Sequence, residues 1–203
     1  MIALERQRLL VITPPHTASG NVHRALCSEE VGGKWVLQAN PEGVFDHHGA
    51  SSGGGWHGYT RAVVIRNPYD RLAGLYLHHK WAEQNTPDNL LRTGFSWAEF
   101  VGKVAADDYT SLGWFYRWSI SRLLEFSGPI DSLIRFEYLR EDISRLIGLP
   151  INLPDPYHES NPLNDWYADS SIASLVEKWA YTDCVKFGYA PPHRCLPEGE
   201  KLF

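Results

Sequence analysis

The segment Leu9-Leu10-Val11-Ile12-Thr13-Pro14-Pro15-His16-Thr17-Ala18-Ser19-Gly20-Asn21 decides the architecture. Leu9 to Thr13 is a short, nearly continuous apolar run, the pattern of a strand buried on both faces of a parallel sheet. Pro14 and Pro15 end it, and Ser19-Gly20-Asn21 opens a helix through Val22, Ala25 and Leu26. Strand, tight loop and helix in that order leave backbone N–H groups at the positive end of a helix dipole, which suits phosphate or sulfate.

Working outward, the pattern repeats. Trp35 to Gln38 reads as a strand, and Ala62 to Arg66 (AVVIR) reads as a stronger one. Asn67-Pro68 then supplies an N-cap with proline at the first helical position, followed by Leu72, Leu75 and Tyr76 at helical spacing. Trp97 to Val104 and Leu112 to Phe126 are expected helices, Ser132 to Phe136 a buried strand, and Leu139 to Ile147 a helix stopped by Gly148. Asn152 to Asp165, rich in proline and asparagine, reads as a long loop; Ile172 to Phe187 reads as a final helix before Gly188. Strands alternating with helices predict an α/β layer fold. At 203 residues with 43% hydrophobic content, the chain is expected to form a single domain over 1–203 with a real core.

Charge narrows the function classes. The net charge of -5 lacks the global positive field of a general nucleic-acid binder. Residues 1–80 nevertheless hold eight Lys and Arg against six Asp and Glu, together with seven of the nine histidines; residues 81–203 hold eleven against eighteen. An anionic ligand is therefore expected on the first 80 residues. No apolar run approaches the roughly 18 residues a membrane span needs, and the charged start MIALERQRLLVI is not a signal peptide, so a cytoplasmic protein is expected. Cys27, Cys184 and Cys195 lack CxxC spacing, which argues against a disulfide framework or a structural zinc site.

Three separated segments resemble the sulfotransferases that use 3′-phosphoadenosine 5′-phosphosulfate (PAPS). Val11 to Asn21 is similar to their strand and 5′-phosphosulfate loop. Val64-Ile65-Arg66-Asn67-Pro68-Tyr69-Asp70-Arg71-Leu72 with Tyr76 is similar to their 3′-phosphate motif. Ile134-Arg135-Phe136-Glu137-Tyr138-Leu139, with Trp166 to Asp169 and Asp183 to Tyr189, resembles their closing strand and C-terminal helix. The resemblance implies a P-loop NTPase-like sulfotransferase fold, a three-layer sandwich around a central, mainly parallel sheet. It also implies transfer of a sulfuryl group to a hydroxyl of a carbohydrate or small-molecule acceptor, with 3′,5′-phosphoadenosine as product and no metal. Neither a nucleic acid nor a membrane is an expected partner. A nucleotide-binding homologue without transferase activity, and a P-loop kinase, are the alternatives; the kinase is disfavoured because this sequence lacks a Walker Gly-Lys-Ser/Thr.

The same resemblance places the donor on His16, Thr17, Ala18, Ser19, Gly20 and Asn21, with Arg66 on its 3′-phosphate. Arg66 ends a predicted strand, the edge where ligands bind in open parallel sheets, and a guanidinium grips phosphate bidentately. Asp70 and Arg71 read as scaffold. Two positions depart from the family. Gly74 stands eight residues after the arginine, where the family has a serine that completes the 3′-phosphate site. His16 stands where the family has lysine; with an ordinary pKa of about 6.5, it needs a nearby anion to stay charged. In-line attack by a hydroxyl needs a base opposite the leaving phosphate. His48 in Phe45-Asp46-His47-His48 is the first candidate and His47 the second.

Overall fold

A computed structural model describes residues 1–36, 38–39, 45–46, 56–85, 94–108, 110–125, 127–153 and 163–190. The chain divides into two units, the described residues of Met1–Arg66 with Arg122–His158, and those of Asn67–Ser121 with Glu159–Phe203.

The first unit is α/β. Its strands are β1 (Ile2–Leu4), β2 (Leu9–Ile12), β3 (Lys34–Trp35), β4 (Gln38–Ala39), β5 (Phe45–Asp46), β6 (Thr60–Ile65) and β7 (Ser132–Arg135). Five form one sheet in the order β3-β1-β2-β6-β7, and β4 pairs with β5 in a separate ladder. The centre is parallel: Leu9 lies opposite Thr60 and Ile12 opposite Val63, while Ala62 lies opposite Ser132 and Ile65 opposite Arg135. The edge is antiparallel, β1 pairing with both β2 and β3. The sheet is therefore mixed, and the expectation of a mainly parallel sheet holds for its centre.

β1 was not among the expected strands, since three residues are too few for periodicity to show. It is made by a hairpin through Glu5–Arg8, in which Arg8 N donates to Glu5 O at 3.1 Å and Arg8 takes a left-handed φ of 50°. The expected strand from Trp35 to Gln38 divides between two ladders. Val36 N donates to Met1 O at 3.0 Å beside the last β1–β3 pairs, and Gln38 pairs instead with Asp46.

Alternate strand residues Ile2, Leu4, Leu9, Val11, Ala62, Val64 and Ile134 pack against Val22 and Leu26 of α1 (Ser19–Leu26) and against Leu139, Ile143 and Ile147. Burying each of the Val, Leu and Ile side chains contributes about 1.5–3 kcal/mol, which lets strands of only three to six residues persist. The helix Leu139–Ile147 forms as expected, ending at Gly148 in the left-handed conformation (φ 70°) that glycine accepts without strain.

The second unit is helical, with α2 (Pro68–Asn85), α3 (Trp97–Ala105), α4 (Trp114–Arg117), the start of α5 (Ile120–Leu124), then, after the first unit's α6 (Leu139–Ile147), α7 (Leu163–Trp166) and α8 (Ser170–Phe187). Asn67 caps α2 by accepting from Tyr69 N at 3.0 Å, and Ser96 and Glu99 close a capping box on α3. Tyr69, Leu72, Leu75, Phe100, Val104, Val176 and Ala180 form its core. The stretch expected as a loop to Asp165 contains the short α7.

The expected helix from Leu112 to Phe126 is broken into α4 and α5. Its carbonyls at 117 and 118 are taken by side chains, Trp179 Nε1 (2.8 Å) and Arg71 Nη1 (2.9 Å). The N–H groups of Ile120 and Ser121 are taken by Asp183, at 2.8 and 2.7 Å. Groups that a continuous helix would pair internally are thus held from α2 and α8. Arg71 and Asp183 are buried scaffold residues.

Near the end of α2, burial lowers the pKa of both His78 and His79. His79 is 1% exposed, with its ring stacked on Phe95, edge-on to Tyr116 and 3.4 Å from Glu83 Oε1. Glu83, which opposes the depression, is itself engaged by Lys80 Nζ at 2.9 Å and Gly94 N at 2.8 Å. A histidine held neutral when folded binds its proton in the unfolded chain first, so stability falls as pH drops below about 6.5. The urea midpoint is expected to decline between pH 7 and 5.5, and less steeply in His79→Phe; parallel declines would refute this source.

No helix among the described residues is long and apolar enough to cross a membrane. Cys27 and Cys184 are free, and burial raises both thiols, Cys184 to about 11.

Candidate functional site

The loop Pro14 to Ala18 joins the end of β2 to the start of α1. Thr17 closes it, donating to Pro14 O through both N (3.2 Å) and Oγ1 (2.7 Å), with its side chain fully buried. His16 and Ala18 both take left-handed backbones, φ 59° and 63°. Such a conformation costs a residue with a Cβ about 1–2 kcal/mol and persists only where the surroundings impose it. A left-handed Ala18 followed by the right-handed Ser19 turns successive N–H groups toward one concavity, the backbone form that binds anions. No side chain caps α1 at Ala18 and no acidic residue stands in its first turn, so the chain places no carboxylate of that turn on the positive end of the dipole.

Arg66 follows β6, the parallel neighbour of β2. It is 6% exposed; its Nη1 donates to His16 O at 3.1 Å and its Cζ lies 4.2 Å from the centroid of the Phe136 ring. Phe136 is buried and follows β7, the parallel neighbour of β6. Three adjacent parallel strands therefore deliver a loop, a cation and an aromatic ring to the same edge of the sheet, their carboxyl ends. The ring and the carbonyl fix the plane of a guanidinium that carries five N–H donors. An amide-lined turn with a buried guanidinium bonded to its backbone has the donors that can hold an anion.

Of the residues singled out in the sequence, His16, Thr17, Ala18, Ser19, Gly20, Asn21 and Arg66 share this edge. Gly74 is buried within α2, in the second unit. His47 and His48 lie outside the described residues. Phe136 was missed as a site residue, although its place directly after a strand parallel to the Arg66 strand is the signal that could have found it. Trp56 packs edge-on against Tyr59 at 5.1 Å. Beside Asn21 a cavity of about 230 Å³ opens between α1 and Pro150–Asn152. That is smaller than a whole-ligand pocket, typically about 300–1,000 Å³. Among the described residues no three His, Cys, Asp or Glu side chains gather as a metal site.

No family model matches the chain, and no curated protein matches it. Among solved structures, a sulfotransferase from Alicyclobacillus acidocaldarius is similar at 18% identity and a TM-score of 0.32. The match covers 60% of this chain and 54% of that one, so it spans about half of the sulfotransferase's length.

Proposed function

We propose that this chain is a sulfotransferase that moves a sulfuryl group from PAPS to a hydroxyl of a carbohydrate or small-molecule acceptor. The observation that carries the reading is the loop: two left-handed residues without glycine run directly into an uncapped helix start, with Arg66 bonded to the loop carbonyl. The sequence resemblance supplies the nature of the anion.

The donor, when bound, supplies an activated sulfuryl group on a phosphate leaving group. Backbone N–H groups of Ala18, Ser19 and Gly20 hold the 5′ end in a fixed orientation and meet charge that accumulates there, without reorganising. Arg66 binds the 3′-phosphate through its guanidinium. His16 replaces the family's lysine as an imidazolium toward the 5′-phosphosulfate, and His48 accepts the proton of the acceptor hydroxyl, with His47 as second candidate. Apart from that base, catalysis relies on positioned cations and amides.

Incubation with PAPS and a panel of sugars and small alcohols should release 3′,5′-phosphoadenosine in step with acceptor sulfation. Nucleotide binding without transfer across the panel would favour a non-catalytic nucleotide-binding protein, and ATP turnover with Mg²⁺ would favour a kinase. Two variants test the assigned histidines. Donor binding by wild type is expected to weaken as pH rises and His16 loses its proton, and His16→Lys should abolish that dependence, since lysine keeps its charge. A pH dependence that persists in His16→Lys removes this role. His48→Ala should reduce turnover by about 100-fold or more while nucleotide affinity stays near wild type; unchanged turnover would reject His48 as the base.

A further inference from the structure

His23 lies on α1 with 2% of its surface exposed. Its Nε2 is 3.2 Å from Thr13 Oγ1, and its ring meets Trp35 edge-on at 4.4 Å. Thr13 is fully buried and stands between β2 and Pro14, whose carbonyl accepts both donors of Thr17. The His23–Thr13 bond therefore joins the root of the loop to the helix that the loop runs into. Chain and hydrogen bond close a ring around Pro14 to Ala18, the segment that holds both left-handed residues.

A core role alone would not call for these side chains. Val22 and Leu26, on the same helix, fill the adjoining core with hydrocarbon. A buried imidazole and a buried hydroxyl each carry a desolvation cost, which their mutual bond offsets. What such a pair adds beyond apolar packing is direction, since a hydrogen bond holds its two partners at a set distance and angle.

Resting on the donor-binding reading above, we propose that His23 is a positioning residue for the anion-binding loop. Through Thr13 it fixes the loop's root against α1, so that the N–H groups from Ala18 onward keep one concave arrangement. It touches no substrate. Without it the loop relaxes from its left-handed geometry and must be reordered each time an anion binds, which lowers affinity.

The test is calorimetric titration of the full chain with 3′,5′-phosphoadenosine, alongside thermal unfolding, for wild type, His23→Phe, Thr13→Val, the double variant and His23→Gln. Each single loss of the bond is expected to weaken Kd about five- to tenfold. The double variant should lose no more than either single one, because both remove the same bond. His23→Gln, which keeps a hydrogen-bonding group, should recover most of the affinity. A lowered Tm with unchanged Kd would mean a purely structural role and overturn the proposal; so would additive losses in the double variant. Should His23→Phe fail to fold, the near-isosteric Thr13→Val decides by the same criterion. Wild type that binds while the variants bind equally well removes this inference alone, whereas wild type that binds nothing removes the donor reading together with it.

Discussion

Replacing Arg66 by alanine is expected to weaken binding of 3′,5′-phosphoadenosine about 100-fold, with little loss of secondary structure. The magnitude follows from removing charge-assisted hydrogen bonds to a phosphate in a largely desolvated place. The structure adds a second consequence. Arg66 Nη1 also holds His16 O at 3.1 Å, so its loss releases the loop carbonyl as well as the 3′-phosphate. Adenosine 5′-monophosphate, which lacks the 3′ group, separates the two effects. If Arg66 served the 3′-phosphate alone, the alanine variant would bind the monophosphate as wild type does. The expected result is a smaller but definite weakening of the monophosphate and a large one of the bisphosphate. Arg66→Lys should restore little, since an ammonium lacks the planar fork that spans His16 O and a phosphate and stacks less well on Phe136.

Asp183→Ala is expected to destabilise the protein by about 3 kcal/mol, lowering Tm by about 6–12 °C. Asp183 is fully buried, and its two oxygens accept from Ile120 N and Ser121 N. Alanine leaves both N–H groups without that acceptor in the interior, where water does not replace it cheaply. Asp169→Ala is the control. Asp169 also accepts from a helix-start N–H, Ser171 N at 2.8 Å, but it is exposed, and the cost there should be about 1 kcal/mol. Urea unfolding of both variants checks the contrast; equal losses would show that burial is not what makes Asp183 valuable. The segment Asp183 to Tyr189, grouped by resemblance with the family's closing elements, thus has a structural task within the helical unit.

Elements whose signals are local were legible in the sequence. The apolar runs read at Leu9 to Thr13 and Ala62 to Arg66 supplied the parallel neighbours β2 and β6, and Asn67, Gly148 and Gly188 mark helix ends by their own chemistry. What escaped depends on distant partners. The break between α4 and α5 is imposed by Arg71, Trp179 and Asp183, none of them within the segment. Ile2–Leu4 becomes a strand only because β2 and β3 flank it.

The site shows the same division. The loop and Arg66 were visible as strand-end motifs, each readable within a dozen residues. Phe136 and the Thr13–His23 pair were not, because their roles arise only when β2, β6 and β7 stand side by side and α1 folds back on the loop. Nor could the sequence disclose that His16, read as a charge for the donor, also supplies a backbone carbonyl to Arg66 in a left-handed turn.

On the donor reading, the first unit's loop and Arg66 hold an adenosine nucleotide phosphorylated at its 3′ and 5′ positions. Isothermal titration of the wild-type chain with 3′,5′-phosphoadenosine is the decisive measurement. Saturable one-to-one binding, weakening as salt is raised and tighter than that of adenosine 5′-monophosphate, is the predicted result. No binding, or equal affinity for both nucleotides, would contradict it.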